Sequence, residues 1–362
     1  ALMYICIWMN IPSHHQSQFF DALDEKADDL KVYYYGKVSS NRSQMGWEAD
    51  ILLKDYEQYI NVEEFKIDLK ELKKYVHILP GYSHPLLLKL RNIFSKHNIK
   101  WVHWSEKATP GWKWYASYYK KFMHAHYINR YALGALAIGS HAKSDFIRWG
   151  IKPEKIGILP YSFNTMNIFP PDEEILKFKK GRKAFLFVGS LYALKGIDLL
   201  LKAFHQEFKD NKDWCLILVG NIKDGADYQK VINDYDLNDQ VLIRGVIPAS
   251  QITSAYSACD IFVLPSRYDG WGMVVNEAVY CNLPVIVSDA VGASEHLVQS
   301  EKNGFIFKSG SSDSLAEQMV KYKNFQIISE HGKYNSEIFS KYSSDSLSKH
   351  LVDILKTWMG KK

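Results

Sequence analysis

The sequence feature that most limits the fold of this 362-residue chain is the alternation of short apolar runs with helix-like segments. The apolar runs are continuous rather than alternating in polarity, as expected of parallel strands that are covered on both faces. Parallel neighbours require crossover connections, and the helix-like segments between the runs can supply them. The sequence therefore predicts an α/β protein built on doubly wound parallel sheets.

The apolar runs fall into two series, which predict two domains. The first series is YICIWM, KVYYYG, VHILP, KWVHW, LAIGS and IGILPY, and the second is FLFVGS, CLILVGN, VLIRG, IFVLPS, PVIVSD and GFIFKSG. The polar stretch 164–184 separates them and contains two adjacent prolines, as domain boundaries commonly do. We expect one Rossmann-like domain at residues 1–168, a second at 169–342, and an amphipathic helix at about 343–362.

Composition and cysteine usage indicate a globular protein of a reducing compartment. Hydrophobic residues make up 47% of the chain and charged residues 23%, which is ordinary for globular domains. The apolar runs are far shorter than the ~20 residues of a membrane-spanning helix, and the first residues lack the pattern of a secretory signal peptide. The four cysteines are scattered without a CxxC pair, which favours reduced core thiols over disulfides or zinc. We therefore expect a cytoplasmic protein.

Charge is distributed unevenly along the chain. Residues 72–144 hold twelve Lys and Arg against one acid, Glu106, a net charge of +11, while the remaining residues hold 33 basic and 39 acidic side chains, a net charge of −6. This basic segment is also rich in Trp and Tyr, which suits peripheral contact with an anionic membrane at its inner face, or a lipid diphosphate acceptor. Alternatively, the aromatics form core and the lysines keep the domain soluble. Nucleic-acid binding is not expected, because no recognised motif supports it.

Residues 264–290, LPSRYDGWGMVVNEAVYCNLPVIVSDA, place two acids around a predicted strand–turn–helix. Ligands of open α/β sheets bind beyond the carboxyl ends of the strands, and Asp269 falls in such a turn, with Glu277 on the helix that follows. The N–H groups of Gly270 to Val274 open that helix and could meet an anion. A helix carboxylate facing a ligand suits paired ribose hydroxyls. The alternative is that Asp269 caps the helix and Glu277 is solvated.

The order of residues in PSRYDGWGMVVNEA, followed by LPVIVSDAVGASE, resembles the signature of family four of the retaining glycosyltransferases. The resemblance implies the GT-B fold, two Rossmann-like domains facing across a cleft, with the terminal helix packed back on the first domain. It implies that the first domain binds a glycan or lipid-linked acceptor and the second a nucleotide diphosphate sugar, with UDP favoured over GDP. The expected activity is hexose transfer in surface polysaccharide or glycolipid synthesis, with no metal and no other cofactor.

The family motif is a pair of glutamates separated by seven residues, and this chain keeps the spacing with Asp269 in the first position. The resemblance implies that Asp269 contacts the sugar, Glu277 binds the ribose, and Lys195 neutralises the leaving diphosphate. The full donor site that the resemblance implies consists of Gly189, Ser190, Gly220, Asn221, Val246, Arg267, Gly270, Trp271, Gly272, Met273, Val274 and Glu277.

Three departures from the family pattern bear on the donor site. Asp269 is one bond shorter than glutamate, which affects sugar selectivity. Ser190 stands where relatives have arginine, and Arg267 or Arg244 could replace the lost charge. Ala293 stands where a second glycine is usual, beside Gly292 and a further acid, Glu295, which either serves the site or pairs locally.

The first domain offers fewer motifs. Glu106 follows a predicted strand and is either a catalytic-site carboxylate or part of a structural ion pair. The histidines lack the i, i+4 spacing of a helical zinc site, so no metal site is expected. Ser13 is a candidate helix cap, and the loop after it is expected to carry the first of the acceptor-side residues. These residues are His14, His15, Gln16, His84, Ser140 and Lys143.

Two other functions stay open on the sequence alone. A sugar-nucleotide epimerase of the same fold would turn over without an acceptor. A non-catalytic subunit would bind nucleotide sugar for a partner transferase, and the departures at Ser190 and Asp269 leave room for it.

Overall fold

The computed structural model describes residues 2–36, 52–223 and 225–360, the side chain of Lys113 excepted. The chain divides into two compact units. Unit 1 consists of Ala1–Asn164 together with Tyr342–Lys362, and unit 2 of Thr165–Lys341. Unit 1 is therefore built from two separate stretches of chain, and the last two residues of the helix predicted at 343–362 lie outside the described part.

Unit 1 contains a seven-stranded sheet in the order β3-β2-β1-β4-β5-β6-β7. Each described pairing in it is parallel. Its strands are β1 (Tyr4–Met9), β2 (Asp29–Tyr34), β3 (Glu57–Tyr59), β4 (Val76–Pro80), β5 (Trp101–Ser105), β6 (Gly134–Ala137) and β7 (Ile156–Ile158).

Unit 2 contains a six-stranded sheet in the order β10-β9-β8-β11-β12-β13, again with parallel pairings. The register is direct, for example Phe185 of β8 against Leu216 of β9. Its strands are β8 (Lys183–Val188), β9 (Trp214–Val219), β10 (Val241–Gly245), β11 (Ile261–Leu264), β12 (Val285–Ser288) and β13 (Gly304–Phe307).

The prediction of two doubly wound parallel sheets is confirmed. Each of the twelve apolar runs contains a strand of one of the two sheets. One strand was not predicted: β3 reads Glu-Gln-Tyr, lies at the edge of its sheet, and is partly or fully exposed along its length. An edge strand of this length has no need of an apolar face.

Helices connect the strands. In unit 1 they are α1 (His14–Asp24), α2 (Leu69–Leu72), α3 (Pro85–Lys96), α4 (Trp112–Ala116), α5 (Tyr118–Tyr131), α6 (Ser140–Trp149) and, from the second stretch of chain, α15 (Ser344–Gly360). In unit 2 they are α7 (Glu173–Lys179), α8 (Ile197–Phe208), α9 (Tyr228–Asp234), α10 (Thr253–Ala258), α11 (Met273–Tyr280), α12 (Ser294–Leu297), α13 (Ser312–Lys321) and α14 (Gln326–Lys341).

The C-terminal helix α15 packs against α1 and completes unit 1. Lys26 and Asp345 form an ion pair between the two stretches of chain, and His350 Nε2 lies 3.0 Å from the carbonyl oxygen of Ile158. Leu351 and Leu355 of α15 are buried, as the amphipathic pattern of this helix predicts.

Three histidines of unit 1 are buried in hydrogen-bonded positions. The Trp8 indole N–H donates to His77 Nδ1 at 3.1 Å. Arg91 can only donate, so it donates to His124 Nδ1 (3.1 Å). His124 Nε2 then donates to His103 Nδ1 (3.1 Å). Burial lowers the pKa of His77 to about 4 and that of His103 to about 3, so both rings are neutral in the folded protein.

These histidines predict acid destabilisation of unit 1. In the unfolded chain they protonate near pH 6.5, whereas in the folded protein they stay neutral to about pH 4 and about pH 3. The unfolded state therefore binds more protons, and the free energy of unfolding falls as pH drops below 6.5, by up to ~1.4 kcal/mol per pH unit for each histidine. This slope is measured by urea unfolding at a series of pH values, with hydrogen exchange of the amides of unit 1 as the readout.

The matched pair for this test is His77→Phe and His126→Gln. The phenylalanine can pack on Phe94, against which the His77 ring is stacked at 4.3 Å, and we expect the pH slope below 6.5 to become shallower. His126 is exposed on α5, and its replacement should leave the slope unchanged. Equal slopes in wild type and His77→Phe would refute the assignment of the acid sensitivity to this histidine.

Candidate functional site

The loops that follow four neighbouring strands of unit 2 meet at one edge of its sheet. The carboxyl ends of β8, β9, β10 and β11 are adjacent in the strand order. The loop after β8 pairs with the loop after β9 through a bridge between Leu191 and Ile222. The loop after β11 pairs with that after β12 through Asp269 and Val291. The residues predicted for the donor site are therefore neighbours in unit 2, although the sequence spreads them over more than 80 positions.

Lys195 and Asp269 form an ion pair in this cluster of loops. The Lys195 Nζ atom lies 2.5 Å from Asp269 Oδ2, and the two side chains are 23% and 15% exposed. Lys195 ends the 3₁₀ turn Ala193–Lys195 that leads into α8. A cation at a helix N-terminus is unfavourable unless an anion accompanies it, and the structure supplies that anion as Asp269.

Arg267 holds the turn that carries Lys195. Its guanidinium makes two hydrogen bonds of 2.7 Å to the carboxylate of Asp198 and donates to the carbonyl of Ala193. Its backbone N–H donates to the carbonyl of Leu194 at 2.8 Å. Arg267 therefore fixes the loop after β8 against the loop after β11, and its charge is already balanced by Asp198.

Glu277 lies on α11, where it accepts a hydrogen bond from a buried tyrosine. The Tyr256 hydroxyl lies 2.8 Å from Glu277 Oε2 and 3.3 Å from the carbonyl oxygen of Val274. Burial raises the pKa of the Glu277 carboxyl to about 7, and the hydrogen bond from Tyr256 opposes that shift. The alternative, in which Asp269 caps the helix and Glu277 is solvated, does not fit these contacts, because the N-cap of α11 is Gly272 and Glu277 is bound to a buried tyrosine.

The loops after β8 and β9 approach each other closely. A Cβ atom on Gly220 would lie 1.8 Å from the carbonyl oxygen of Gly189, so a side chain at this position would push the loops apart. Ser190 donates to Asn221 Oδ1 at 3.2 Å across the same contact. Val246, after β10, is exposed. Asn221 and Val246 are thus both exposed in the loops that follow their strands.

Trp271 and Arg244 make hydrogen bonds within unit 2. The indole of Trp271 is buried and donates to Asn276 Oδ1 at 2.8 Å. Arg244, suggested with Arg267 as a replacement cation, is bound to Asp172 through two hydrogen bonds of 3.0 Å. Both arginines therefore pair with an aspartate, as Lys195 does with Asp269.

Gly270, Met273 and Val274 lie where predicted, in the turn after β11 and the first turn of α11. In the loop after β12, Gly292 donates its N–H to the carbonyl of Asp269 at 3.2 Å. Glu295 is exposed on α12. The acidic turn is thus supported from the neighbouring strand by backbone hydrogen bonds.

In unit 1, the first three predicted acceptor residues lie on a helix, whereas a loop was predicted. His14, His15 and Gln16 form the first turn of α1 rather than the preceding loop, and Gln16 is buried. Ser13 caps α1 as predicted, by accepting from the N–H of His15. His84 caps α3, where its Nδ1 accepts from the N–H of Leu86 at 3.2 Å.

Glu106 follows β5 and is half-buried. Burial, together with the charge of Glu106 and a hydrogen bond to it, raises the pKa of the Tyr161 hydroxyl well above its usual value. Ser140 and Lys143 lie on the first turns of α6, after the adjacent strand β6. The loops after β5 and β6 are joined by Lys107, whose Nζ lies 3.4 Å from a histidine ring of α6.

Sequence reasoning did not single out the partners of the predicted residues. Asp198 neutralises Arg267, Tyr256 binds Glu277, and Tyr161 binds Glu106. The only local signal was that Asp198 is an acid in the first turn of a predicted helix. Over residues 2–36, 52–223 and 225–360, no group of three His, Cys, Asp or Glu side chains is placed to hold a metal ion.

Comparison with known proteins gives a family and a set of relatives. The family model described as glycosyl transferases group 1 matches residues 169–356. An uncharacterized glycosyltransferase of Methanocaldococcus jannaschii is 27% identical over 212 residues, which are 56% of this chain and 53% of that protein. The capsular polysaccharide biosynthesis glycosyltransferase CapM of Staphylococcus aureus is 27% identical over 180 residues, which are 48% of this chain and 46% of CapM. The chain spans about half the length of these curated relatives.

Two solved structures share the fold. Anabaena HepE in complex with UDP gives a TM-score of 0.76 at 17% identity, covering 98% of this chain and 100% of that chain. Sucrose-phosphate synthase from Thermosynechococcus elongatus gives 0.72 at 17% identity, covering 99% and 100%. At these identities the likeness concerns the fold alone.

Proposed function

This chain belongs to the glycosyl transferases of group 1, and from that premise we propose that it transfers a hexose from a nucleotide diphosphate sugar, with retention and without a metal. The observation that carries the proposal is the pairing of Lys195 with Asp269 at the carboxyl ends of adjacent strands, with Glu277 on the helix that follows Asp269. The acceptor we propose is a glycan or lipid-linked sugar of surface polysaccharide or glycolipid synthesis. A capsular polysaccharide role in the relative CapM supports this choice.

Lys195 suits the leaving diphosphate. Negative charge builds up on the phosphate oxygen as the sugar departs, and a preorganised cation lowers the energy of that state. The ammonium group has three N–H donors, of which one points at Asp269. The remaining donors are available to phosphate oxygens, and the ion pair keeps the side chain in place between turnovers.

Asp269 and Glu277 suit the hydroxyl groups of the donor. Asp269 Oδ2 is engaged by Lys195, and we assign the other carboxylate oxygen to the sugar. The ribose is assigned to Glu277, whose orientation is fixed by Tyr256. The carrier base is assigned to the backbone around Val246 and Asn221. UDP is the favoured carrier because the structural neighbour HepE was solved with UDP.

The proposed transfer takes place on one face of the sugar. The bond between the anomeric carbon and the phosphate oxygen breaks, and its electron pair leaves with the diphosphate. The acceptor oxygen forms the new bond on the same face, and its proton passes to the departing phosphate oxygen. The protein supplies charge stabilisation and alignment in this mechanism, and no side chain acts as a nucleophile.

We assign the acceptor to unit 1. The residues proposed for it are the exposed His14 and His84, together with Lys143 and the Glu106–Tyr161 pair. Glu106 would accept a hydrogen bond from the acceptor, in keeping with its half-buried position after β5.

The first test is a panel of UDP, GDP, ADP and CMP, with thermal unfolding and calorimetry as readouts. We expect one nucleotide diphosphate to bind wild type and its affinity to fall about ten- to a hundred-fold in Glu277→Gln, because hydrogen bonds to a charged group are lost. Glu317→Gln, an exposed change on α13, is the matched control and should bind like wild type. Absence of binding by all four nucleotides would overturn the donor site.

The same titration has a pH signature when UDP-glucose is the probe, since its diphosphate does not ionise near neutrality. The pKa of Glu277 is about 7, and its carboxyl group accepts hydrogen bonds from two hydroxyl groups best when it is ionised. Affinity should therefore rise with pH, by up to about tenfold between pH 6 and pH 8. Glu277→Gln should bind equally at both values. A wild-type affinity independent of pH would contradict the assignment of Glu277 to the ribose.

A further inference from the structure

An exposed aromatic face covers two consecutive helices of unit 1. Trp112 and Tyr115 on α4 are 78% and 74% exposed, and Tyr119 on α5 is 72% exposed. Phe122 and Tyr118 of α5 are also exposed. We call these five side chains the aromatic face. On α5, positions 119, 122 and 126 are spaced by three and four residues, so their side chains lie along one side of the helix.

The inner side of these helices combines polar and apolar contacts. Lys121 is buried, its Nζ donating to the carbonyl of Trp114 at 3.1 Å and lying 4.3 Å above the Trp114 ring. Trp114 in turn donates its indole N–H to Asp145 of α6 at 3.1 Å. Ala125 and Ile128 of α5 are buried in the hydrophobic core of unit 1. The helices are thus anchored on their inner side, while their outer side carries Trp, Tyr and Phe.

Burial of aromatic surface is favourable, and the aromatic face leaves five large rings exposed beside a helix that already buries Ala125 and Ile128 in the core. Clustered exposed aromatics on a soluble unit mark an interaction surface. The positive charge around these aromatic side chains indicates that the partner is anionic. The aromatic face lies in the segment 72–144, which has a net charge of +11, and Lys120 and Arg130 are exposed on α5 itself.

We propose that the aromatic face of α4 and α5 docks on an anionic lipid bilayer. Trp and Tyr side chains are favoured at the level of the lipid headgroups, and nearby lysines and arginines are attracted to anionic lipids. No helix in the described part of the chain is long and apolar enough to span a membrane, and the docking proposed here is peripheral. This binding goes beyond the proposed transfer reaction and does not require it.

The experiment is co-sedimentation of the whole chain with vesicles. One set is phosphatidylcholine alone, and the other contains phosphatidylglycerol as about one lipid in three. We expect the partition coefficient for the anionic vesicles to exceed that for the neutral ones about tenfold or more and to fall as salt is added. Equal binding to both vesicle types, or none to either, would overturn the proposal.

Two variants separate the aromatic and charge contributions. The triple change Trp112→Ser, Tyr115→Ser, Tyr119→Ser alters exposed side chains and should abolish binding. Its control is Leu52→Ser, which removes a 92% exposed apolar side chain elsewhere in unit 1 and should bind like wild type.

For the charge contribution, Lys120→Glu should weaken binding to anionic vesicles, and Lys202→Glu, exposed on α8 of unit 2, should not. Nucleotide affinity should be unchanged in all four variants, which separates this proposal from the donor site. If the triple variant bound vesicles like wild type, or if it instead abolished self-association of the chain in sedimentation velocity, a bilayer would be the wrong partner.

Discussion

Replacing Lys195 with alanine is expected to lower the rate of nucleotide diphosphate release about a hundred- to a thousand-fold. Losing one preorganised group that stabilises developing charge commonly has an effect of this size. The variant also leaves Asp269 without the partner that lies 2.5 Å away, at the point where the sugar and the phosphate would meet. The measurement is release of the nucleotide diphosphate from the preferred donor sugar, with an acceptor or by slow hydrolysis without one.

The matched control is Lys202→Ala, which removes an exposed lysine of the same region, on α8. It should keep the wild-type rate. Affinity provides a second readout: Lys195→Ala should weaken binding of UDP far more than binding of uridine, because the proposed mechanism assigns the phosphates to this lysine. A rate within twofold of wild type would remove Lys195 from the mechanism. Tight donor binding without release by the wild-type protein would favour the non-catalytic subunit instead.

Replacing Gly196 with alanine should reduce turnover about a hundredfold, although this residue contacts no ligand in the proposed mechanism. A Cβ atom there would lie 2.0 Å from the carbonyl oxygen of Pro265, in a backbone with φ of +74°. Such overlap forces the loop after β8 away from the loop after β11, and Lys195 moves with it. Displacement of a catalytic group by about 1 Å is enough for an effect of this size.

Gly310→Ala is the control that separates the effect of the steric contact with Pro265 from the effect of backbone strain. Gly310 has φ of +80°, and an added Cβ would meet nothing within 4 Å. Both variants should lose about 1–3 kcal/mol of stability through the left-handed backbone, but Gly310→Ala should keep the wild-type rate per folded molecule. Equal rates for the two variants, measured well below their unfolding temperatures, would show that the packing of Gly196 on Pro265 does not position Lys195.

The periodicity of the sequence predicts the fold well because parallel strands buried on both faces leave a strong local pattern. β9, with six buried residues in succession, is the clearest instance. β3 escapes prediction for the opposite reason: it pairs with β2 through its backbone, and an exposed edge strand places no demand on side-chain polarity. The structure divides the chain within a few residues of the boundaries expected at 168 and 342.

The positions of Lys195, Asp269 and Glu277 were predictable, because local motifs place the first two in loops after strands and the third on the following helix, as the structure has them. Their partners were not predictable, because the contacts join distant positions: 69 residues separate Asp198 from Arg267, and 21 separate Tyr256 from Glu277. The same limit applies to Arg244. Its sequence neighbourhood shows a cation at a strand end, whereas its charge is balanced by Asp172, 72 residues away.

The division of unit 1 into two stretches of chain has a consequence for its biogenesis. A ribosome delivers the N-terminal stretch first, then the whole of unit 2, and only afterwards α15, which covers α1. Until then the surface of α1 that packs against α15 is uncovered, so unit 1 is incomplete while unit 2 can already fold. Once unit 2 is compact, its ends are held together and the return of α15 closes a much shorter effective loop. Synthesis order thus allows unit 2 to fold before unit 1 is complete.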